Sequence, residues 1–474
     1  MTPIQHSRIL SGLLGVLVVL LSSRRADAAN GADAKPNFIV ILGEGAGWSS
    51  TSVQMDDRDP ASRGASIPTP GLERLAAGGM RFASGYAASP RCTPSRAALL
   101  TGKSPAALHM TFIGDGSGGR GRGAVQGTAA PTRRVVPPVA SIELAAKEVT
   151  LAELLKTAGY ASAHFGKWHL GRVDPQRHGF EDSDGPTGNG GPDNVANPNP
   201  KQAVEMTRNG IAFMERQVKA GHPFYLQLSH YPSQDAKGGG PGVEGRRMES
   251  DAVNACMESI QDAVERLGIR STTYIVYTTD HGTPGRNLPL AGGKGTVWEG
   301  GVRVPFLITG PGIQPGACSH VRVSACDLFP TFAELAGLTG ALPPGIEGGS
   351  LVPLLFHGGQ GRVVRPREEF VIHFPHYDKD WQGPASAIWL GDEKLVRVYE
   401  TGERKLFNVA RDPYERTDLA KESPESVRRL DARLSEYLSA VNAQMPQILT
   451  NVPAGQTLPE PRGGRRRNRD NDAP

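Results

Sequence analysis

The sequence predicts an α/β protein in which helices sandwich a mostly parallel central sheet, followed by a smaller C-terminal α+β subdomain. Three observations lead to this fold class. Short apolar runs alternate with amphipathic stretches along most of the chain. Several of the runs are apolar throughout, which is typical of strands buried on both faces. After about residue 350 the elements become shorter and no longer alternate.

The elements of the larger part follow in chain order. The apolar run 37–42 ends at a glycine and predicts a buried parallel strand. Helical spacing of apolar residues predicts helices over 71–79, 149–158, 203–218 and 252–267, and short apolar runs predict strands over 160–165, 223–228 and 273–277. Ligand sites of such sheets lie beyond the carboxyl ends of the strands, so we expect the functional residues there.

The C-terminal part predicts a different arrangement. Segments 370–373, 387–390 and 395–399 are typical of short antiparallel strands, and 424–441 is typical of an amphipathic helix. We therefore predict a larger N-terminal domain over 36–350 and a subdomain over 351–448. The arginine-rich stretch 449–474 has few apolar residues and predicts a disordered basic tail. Two long glycine-rich stretches, 114–138 and 182–200, predict irregular loops.

The N-terminus has the pattern of a secretory signal peptide, residues 1–28. His6 and Arg8 precede the apolar run 9–21, and a small-residue cleavage site ends at Ala28. The run is shorter than the roughly 20 residues that span a bilayer, so we expect no transmembrane span in the mature chain. The prediction is a secreted or periplasmic protein, with an uncleaved anchor as the alternative. The formal net charge of only +4 argues against a nucleic-acid partner.

Cys92 begins the most informative motif, Cys-Thr-Pro-Ser-Arg, and is one of four cysteines. Pro94 suits the first turn of a helix, which places Cys92 at or just before a helix N-terminus. Free N–H groups and the helix dipole favour an anion such as sulfate there, and Arg96 can reach back to the same place. The alternative is a buried free thiol. Cys318 and Cys326 are the closest pair for a disulfide, although spacing alone does not establish one.

The run 92–103 resembles the signature of the type I sulfatases, which have an alkaline-phosphatase-like fold. The resemblance implies that a formylglycine-generating enzyme oxidises Cys92 to formylglycine (3-oxoalanine), whose hydrate is the nucleophile. Further blocks similar to this family occur in the family's order and extend the resemblance over roughly 36–440: Phe165–Gly171, Thr278–Gly282, Gly293–Pro305 and Asp327–Thr331.

The resemblance also implies roles for single residues. Lys167 and His169 would contact the sulfate and the nucleophile, and Lys294 would contact the sulfate near the leaving oxygen. At positions i and i+2, Lys167 and His169 would share one side of an extended segment. The resemblance implies a Ca²⁺ site, with Mg²⁺ as the alternative, whose ligands are Glu44, Asp280, His281 and the modified residue 92. Glu299 and Arg303 are interpreted as a structural pair.

Two departures from the family pattern affect this interpretation. The family's first strand usually ends in two aspartates, whereas here Glu44 is followed by Gly45. A glutamate suits Ca²⁺, but Gly45 offers only its backbone, so we expect weaker calcium binding. Asp56 and Asp57 lie further on and are candidates to approach the site.

The second departure concerns the general acid. By the resemblance, Gln234 occupies the position of the family's histidine and cannot supply a proton, and His230 or a substrate-assisted route would take over.

The function that this sequence predicts is hydrolysis of sulfate esters, with a sulfated carbohydrate favoured over an aryl sulfate. A phosphoester or phosphonate ester hydrolase on the same scaffold is the first alternative. The second is a non-catalytic protein that binds sulfated glycans, which Gly45 and Gln234 motivate. The segment His373–Tyr377 is expected either to border the substrate cleft or to pack as ordinary strand and turn.

Overall fold

The computed structural model describes residues 35–64, 68–113, 133–189, 200–231, 243–285, 287–378 and 383–449. The predicted signal peptide, nearly all of the basic tail, most of the two glycine-rich loops and Gln234 lie outside these residues. Within the described part of the chain, no helix combines the length and the apolar character needed to cross a membrane.

The strands, in chain order, are β1 (Asn37–Gly43), β2 (Met80–Phe82), β3 (Gly85–Tyr86), β4 (Val135–Val136), β5 (Ala161–Gly166), β6 (Asp182–Ser183), β7 (Phe224–Ser229), β8 (Thr273–Thr279), β9 (Phe306–Thr309), β10 (Ala317–Ser319), β11 (Val323–Ser324), β12 (Phe370–Phe374), β13 (Ala385–Leu390), β14 (Glu393–Val398), β15 (Arg404–Asn408) and β16 (Gln447–Ile448). The α-helices are α1 (Pro70–Ala77), α2 (Cys92–Thr101), α3 (Pro105–Leu108), α4 (Leu151–Lys156), α5 (Pro200–Ala220), α6 (Val243–Arg266), α7 (Glu299–Val302), α8 (Leu328–Leu335), α9 (Val352–Phe356) and α10 (Pro424–Ala440). Short 3₁₀ helices cover Pro60–Ser62, Pro175–His178, Arg270–Thr272, Ala325–Asp327 and Thr339–Ala341.

The central sheet has eight strands in the order β10-β2-β9-β8-β1-β7-β5-β6. Strand β9 pairs antiparallel with β2 and β8, and the other neighbouring strands are parallel. The predicted mostly parallel sheet is thus confirmed. Strands β8, β1, β7 and β5 are adjacent and parallel, so their carboxyl ends lie at one edge.

Strand β1 shows why the sheet is covered on both faces. All seven of its residues are buried. Phe38, Val40 and Leu42 belong to one core with apolar residues of α2, α4 and α8. Ile39 and Ile41 belong to a second core with residues of α1, α5 and α6. Successive side chains of a strand point to opposite faces, so a continuous apolar run serves both cores.

The C-terminal subdomain is a four-stranded antiparallel sheet, β12-β13-β14-β15, with α10 packed against it. Its apolar core includes Leu430 and Leu434 of the helix and Ile388 and Leu395 of the strands. The predicted strands and helix are therefore present. Strand β15 was not predicted, because its sequence Arg-Lys-Leu-Phe-Asn has only two apolar residues, side by side.

A buried ionic cluster joins the C-terminal sheet to helix α7, which lies between β8 and β9 of the central sheet in the chain. Lys394 of β14 lies 3.1 Å from Glu299 of α7 and 2.7 Å from Glu415, and the side chains of all three are fully buried. Glu299 also accepts hydrogen bonds from the Tyr86 hydroxyl at 2.6 Å and from the indole N–H of Trp389 at 3.1 Å. Tyr86 belongs to β3, which pairs with β11 in a small two-stranded sheet, and Trp389 belongs to β13 of the C-terminal sheet, so this carboxylate fixes these two sheets against each other.

Glu299 also lies 3.7 Å from the Arg303 guanidinium, which sits over the Trp48 ring. This arrangement agrees with the structural interpretation of the pair. All four cysteines lie in described parts of the chain and are free thiols. The Cys318 and Cys326 sulfurs contact different carbonyls, those of Met55 and Lys103, so the pair does not form a disulfide.

Candidate active site

A cluster of charged side chains lies at the carboxyl edge of the central sheet. Glu44 directly follows β1, Asp280 follows β8, Lys167 follows β5 and His230 follows β7. These four strands are adjacent and parallel, so the chain brings together residues that are far apart in sequence. This edge is where the fold class places a ligand site.

Cys92 is the first residue of α2 and is only 3% exposed. Its sulfur lies 3.2 Å from Glu44 Oε1, 3.2 Å from His281 Nε2 and 3.6 Å from Lys294 Nζ. The position at a helix N-terminus agrees with the prediction from Pro94. A group at this place faces free backbone N–H groups and the positive end of the helix dipole.

Glu44 is the centre of the cluster. Its carboxylate lies 2.7 Å from Lys167 Nζ, 3.0 Å from the Arg96 guanidinium and 3.2 Å from Lys294 Nζ. Burial alone would raise the pKa of Glu44, but the two lysines and His281 hold that pKa well below its usual range. Glu44 is therefore ionised in the folded protein at neutral pH.

Arg96 contacts the carboxylates of the cluster. The guanidinium lies 2.9 Å from Asp280 Oδ2 and 3.0 Å from Glu44 Oε2, and it donates to the Lys167 carbonyl at 2.6 Å. Sequence reasoning placed Arg96 beside residue 92 but did not foresee that it binds both acids. Since the side chain is 1% exposed and already fully engaged, Arg96 holds these groups in position.

Four ligand atoms converge as a metal ion would require. One atom each of Glu44, Cys92, Asp280 and His281 lies within 4.8 Å of the others, and all four residues are buried. The Nδ1 atom of His281 is 2.9 Å from the Gly282 carbonyl, so it acts as the donor and leaves Nε2 free to bind a cation. Two carboxylates and an imidazole suit a divalent cation, and the predicted ligands therefore fit a metal site.

The titration behaviour of the cluster supports this fit. Burial and the neighbouring Glu44 raise the pKa of Asp280 to about 6. Burial lowers the pKa of His281, but the Asp280 carboxylate and Cys92 together outweigh it and raise that pKa to about 9. The proton on His281, which lies 3.4 Å from both Glu44 and Asp280, thus partly offsets the repulsion between these two carboxylates. A cation bound there would replace that proton, because a ligating imidazole must be neutral.

Gly45 has a structural role in the cluster. Its backbone φ is +67°, and its N–H donates to Asp280 Oδ1 at 3.1 Å. A Cβ at this position would lie 2.9 Å from His281 Cε1. The residue that departs from the family pattern is therefore the one that leaves room for His281. Asp56 and Asp57 do not join the cluster; they lie beside His320 instead.

Replacement of Gly45 by alanine is expected to displace His281 and lower divalent-metal affinity and activity. The left-handed backbone alone costs about 1–2 kcal/mol for a residue with a Cβ. Gly159→Ala is the matched control, because Gly159 has a φ of +80° with open space around it. We expect both variants to lose stability in urea titrations but only Gly45→Ala to lose metal affinity. Equal metal affinity in the two variants would contradict this role.

The other two histidines predicted for the site, His169 and His230, lie beside the cluster. His169 contacts the Cys92 side chain, and burial lowers its pKa. Lys167 and His169 both reach the cluster, and the chain departs from the extended conformation at His169, where φ is +57°. His230 is 2% exposed, and its Nε2 has no hydrogen-bond partner within the described residues. Burial and nearby Arg96 lower the pKa of His230 to about 4.

Sequence reasoning missed an ion pair at the rim of the site. Arg91, directly before Cys92, pairs with Asp378, and both side chains are nearly buried, at 12% and 8% exposed. Asp378 also lies against Gly295, next to Lys294. The segment His373–Tyr377, which precedes Asp378, is itself buried in strand and turn contacts: His373 is hydrogen-bonded to Ser386 and His376 to Thr111, which favours its interpretation as ordinary packing. No motif pointed to this pair, because its partners are 287 residues apart.

Comparison with known proteins agrees with this geometry. The family model described as Sulfatase matches residues 36–237 and 247–338. The chain is 32% identical to mouse N-acetylgalactosamine-6-sulfatase, over 91% of each chain. It is 33% identical to bovine arylsulfatase A, over 73% of this chain and 72% of that one.

Solved structures share the fold. The PsFucS1 sulfatase from Pseudoalteromonas sp. superposes with a TM-score of 0.68 at 21% identity, over 89% of this chain and 93% of that one. A protein solved with its substrate D-glucosamine-2-N,6-O-disulfate gives a TM-score of 0.62 at 19% identity, over 86% and 98%. The chain belongs to the sulfatase family and is a sulfuric ester hydrolase.

Proposed function

We propose that this protein hydrolyses sulfate esters of a carbohydrate, using formylglycine formed from Cys92 and a bound Ca²⁺ ion. The observation that carries the proposal is the position of Cys92. It lies buried at a helix N-terminus within 3.6 Å of the Lys294 ammonium and next to a set of metal ligands. A thiol that only filled a core would have apolar neighbours, as Cys256 has on α6.

The charges around residue 92 suit a sulfate group. Lys167, Lys294 and Arg96 give three cations against the carboxylates of Glu44 and Asp280. In its hydrated form, formylglycine would supply one hydroxyl that attacks sulfur and displaces the alcohol of the ester. Loss of a proton from the second hydroxyl would then break the bond to sulfate and restore the aldehyde. Lys167 and Lys294 would hold the sulfuryl oxygens, and Arg96 would keep the two acids in place.

The metal ligands proposed are Glu44, Asp280, His281 and the modified residue 92. The two carboxylates are hard oxygen donors, which favours Ca²⁺, and Mg²⁺ is the second choice. Such an ion would polarise the sulfuryl oxygens and favour ionisation of the hydrate. With Gly45 in place of an aspartate, the site has one carboxylate fewer than the family pattern, and weaker calcium binding is expected.

His230 is the general acid that this arrangement favours. It is buried at the end of β7, next to β1 and β5, and among the described residues its Nε2 has no hydrogen-bond partner. Since its pKa in the free protein is about 4, few molecules carry the proton at pH 7. At a Ca²⁺ concentration that keeps the metal site saturated despite protonation of Asp280, kcat/KM for alkyl sulfates should therefore be higher at pH 5 than at pH 7, because protonated His230 declines as pH rises above its pKa.

Replacement of His230 by glutamine is expected to lower kcat/KM for alkyl sulfates by roughly 10²–10⁴-fold and to abolish that rise toward pH 5. An aryl sulfate with an acidic phenol should be nearly unaffected, since its leaving group needs no proton. The control is His222→Gln, which changes an exposed histidine. Equal losses on both substrate types would show that His230 is structural.

A sulfated carbohydrate is the substrate class with most support. One relative is an N-acetylgalactosamine-6-sulfatase, and one structural neighbour is complexed with a disulfated glucosamine. Sulfate release from a panel of sulfated oligosaccharides, with aryl sulfates and phosphate esters alongside, tests this class. Cleavage of aryl sulfates or phosphoesters alone would contradict it. We also propose a secreted or periplasmic protein, supported by the N-terminal sequence pattern.

The modification itself is tested by mass spectrometry of the peptide that contains residue 92. The protein is co-expressed with a formylglycine-generating enzyme, and the expected mass loss is that of replacing CH₂SH by CHO. Incubation of the modified protein with a chelator, then Ca²⁺ or Mg²⁺, should abolish and restore activity. A residue 92 that stays a thiol beside an active modifying enzyme would favour the non-catalytic, glycan-binding alternative.

A further inference from the structure

A second group of metal-ligating side chains lies away from the candidate active site. It consists of Asp57, Cys318 and His320, whose ligand atoms lie within 4.8 Å of one another. Cys318 belongs to β10, and His320 follows that strand directly. Strand β10 is the outer edge of the central sheet, four positions from β1. At about 4.8 Å per strand, the group lies roughly 19 Å from β1.

His320 lies between two carboxylates. Its Nε2 is 2.9 Å from Asp57 Oδ1, and its Nδ1 is 3.8 Å from Asp56 Oδ1. The 3.8 Å separation from Asp56 is too long for a hydrogen bond, and Nε2 is the nitrogen that donates to Asp57, because a carboxylate only accepts. A bound cation would replace the Nε2 proton, and Nδ1–H would then face Asp56, as in zinc-binding histidines that have a carboxylate behind the ring.

We propose that Asp57, Cys318 and His320 bind a zinc-like transition-metal cation, with Asp56 orienting His320. One thiolate, one imidazole and one carboxylate form a ligand set typical of Zn²⁺ and poorly suited to Ca²⁺ or Mg²⁺. Tetrahedral Zn²⁺ places its nitrogen and oxygen ligands about 3.3 Å apart, so the observed 2.9 Å contact needs to open only slightly. The Asp57 side chain is 48% exposed, which leaves a fourth position to water.

The loop that carries the two aspartates is held in place without the metal. Asp56 accepts the Arg58 N–H at 2.9 Å, and its own N–H donates to Ser62 Oγ at 3.0 Å. Asp59 accepts the Ala61 N–H at 3.0 Å and the Tyr414 hydroxyl at 2.6 Å. Because these bonds fix the loop, little ordering cost remains for a cation to meet.

The surrounding charges also favour a cation. Asp56 and Asp57 carry two negative charges beside His320, and Arg81 of β2, whose backbone pairs with Cys318 of β10, offsets one of them. Cys318 would bind a cation as the thiolate, so binding would release its proton. A bound cation would fasten β10 to the loop of residues 56–62, independently of the hydrolytic function proposed above.

Cobalt titration of the full chain in a Cys92→Ala background tests the site. Removing Cys92 means that a thiolate-to-cobalt charge-transfer band cannot come from the active-site cluster. We expect one equivalent of Co²⁺ to give such a band and Zn²⁺ to displace it. Cys318→Ser should abolish the band, and Asp56→Asn should weaken cobalt binding about 10–100-fold while keeping it.

Two controls separate the site from general attraction of cations. Glu73→Gln removes an acid that lines the same surface groove as Asp57 and should leave the cobalt affinity unchanged. Cys326→Ser removes a buried thiol elsewhere and should leave the band unchanged. No band in the Cys92→Ala protein, or a band that survives Cys318→Ser, would overturn the proposal. So would an affinity that is unchanged in both Asp57→Asn and His320→Ala.

Discussion

Replacement of Cys92 by alanine is expected to lower kcat for sulfate ester hydrolysis by roughly 10⁴–10⁶-fold, the scale seen when an enzyme loses its nucleophile. The other groups around Cys92 would remain, because Glu44 keeps its contacts with Arg96, Lys167 and Lys294. The variant should therefore fold and still bind sulfated ligands. Turnover of modified protein and calorimetric binding of a sulfated oligosaccharide measure the two properties separately.

The matched control for this experiment is Cys256→Ala. Cys256 is also a buried thiol, but it packs in the second core, on the face of the central sheet opposite to helix α2. Its loss should reduce stability slightly and leave kcat unchanged. If Cys92→Ala lowered kcat by less than roughly 10²-fold, the loss would be no larger than that from a general acid, and the nucleophile would have to lie elsewhere.

Replacement of Lys394 by methionine is expected to destabilise the protein by about 3–5 kcal/mol, because it leaves buried carboxylates without their partner. Lys394 is the cation that Glu299 and Glu415 share at full burial. Urea denaturation at pH 8 measures the loss. Lys405→Met is the control, since Lys405 lies 3.7 Å from a half-exposed Asp418 and should change the stability by less than about 1 kcal/mol.

The effect of Lys394→Met should depend on pH. The pKa of Glu415 is raised to about 7, compared with 4.5 for an exposed glutamate. Burial is the main cause and the Glu299 charge adds to it, whereas Lys394 lowers this pKa. Protonation of Glu415 therefore stabilises the fold below pH 4.5, and this contribution is lost as pH rises through 7. The destabilisation should shrink at pH 5, and Glu415→Gln should partly rescue the variant at pH 8. A loss independent of pH would contradict this origin.

The sequence predicted those parts of the fold that periodicity marks. The apolar run of β1 and the amphipathic spacing of α10 appear where they were expected. Helix α6 begins at Val243, nine residues before the predicted start at 252, because its first turns lack an apolar stripe. Strand β15 was missed for the same physical reason. Where polar residues dominate an element, its neighbours in the fold decide the structure, and the sequence alone gives little warning.

The candidate site was predictable in membership but not in contacts. Glu44, Cys92, Lys167, Asp280, His281 and Lys294 lie together as the motifs implied. The sequence did not indicate that Arg96 would bind both acids. Nor did it indicate that Arg91 would pair with Asp378, or that Asp56 and Asp57 would lie beside His320. These pairings depend on which loops meet above the sheet.

The shared lysine has a consequence for the order in which this chain can fold during synthesis. Glu299 leaves the ribosome before its partner does, since Lys394 lies 95 residues further along. Until β14 has been made, burial of Glu299 would leave it the Arg303 guanidinium at 3.7 Å and the Tyr86 hydroxyl as partners, and the missing lysine would cost several kcal/mol. The last folding step of the larger sheet should therefore wait for the C-terminal strands. The central sheet and the C-terminal sheet would then complete their folding together, although the change of periodicity near residue 350 separates them in the sequence.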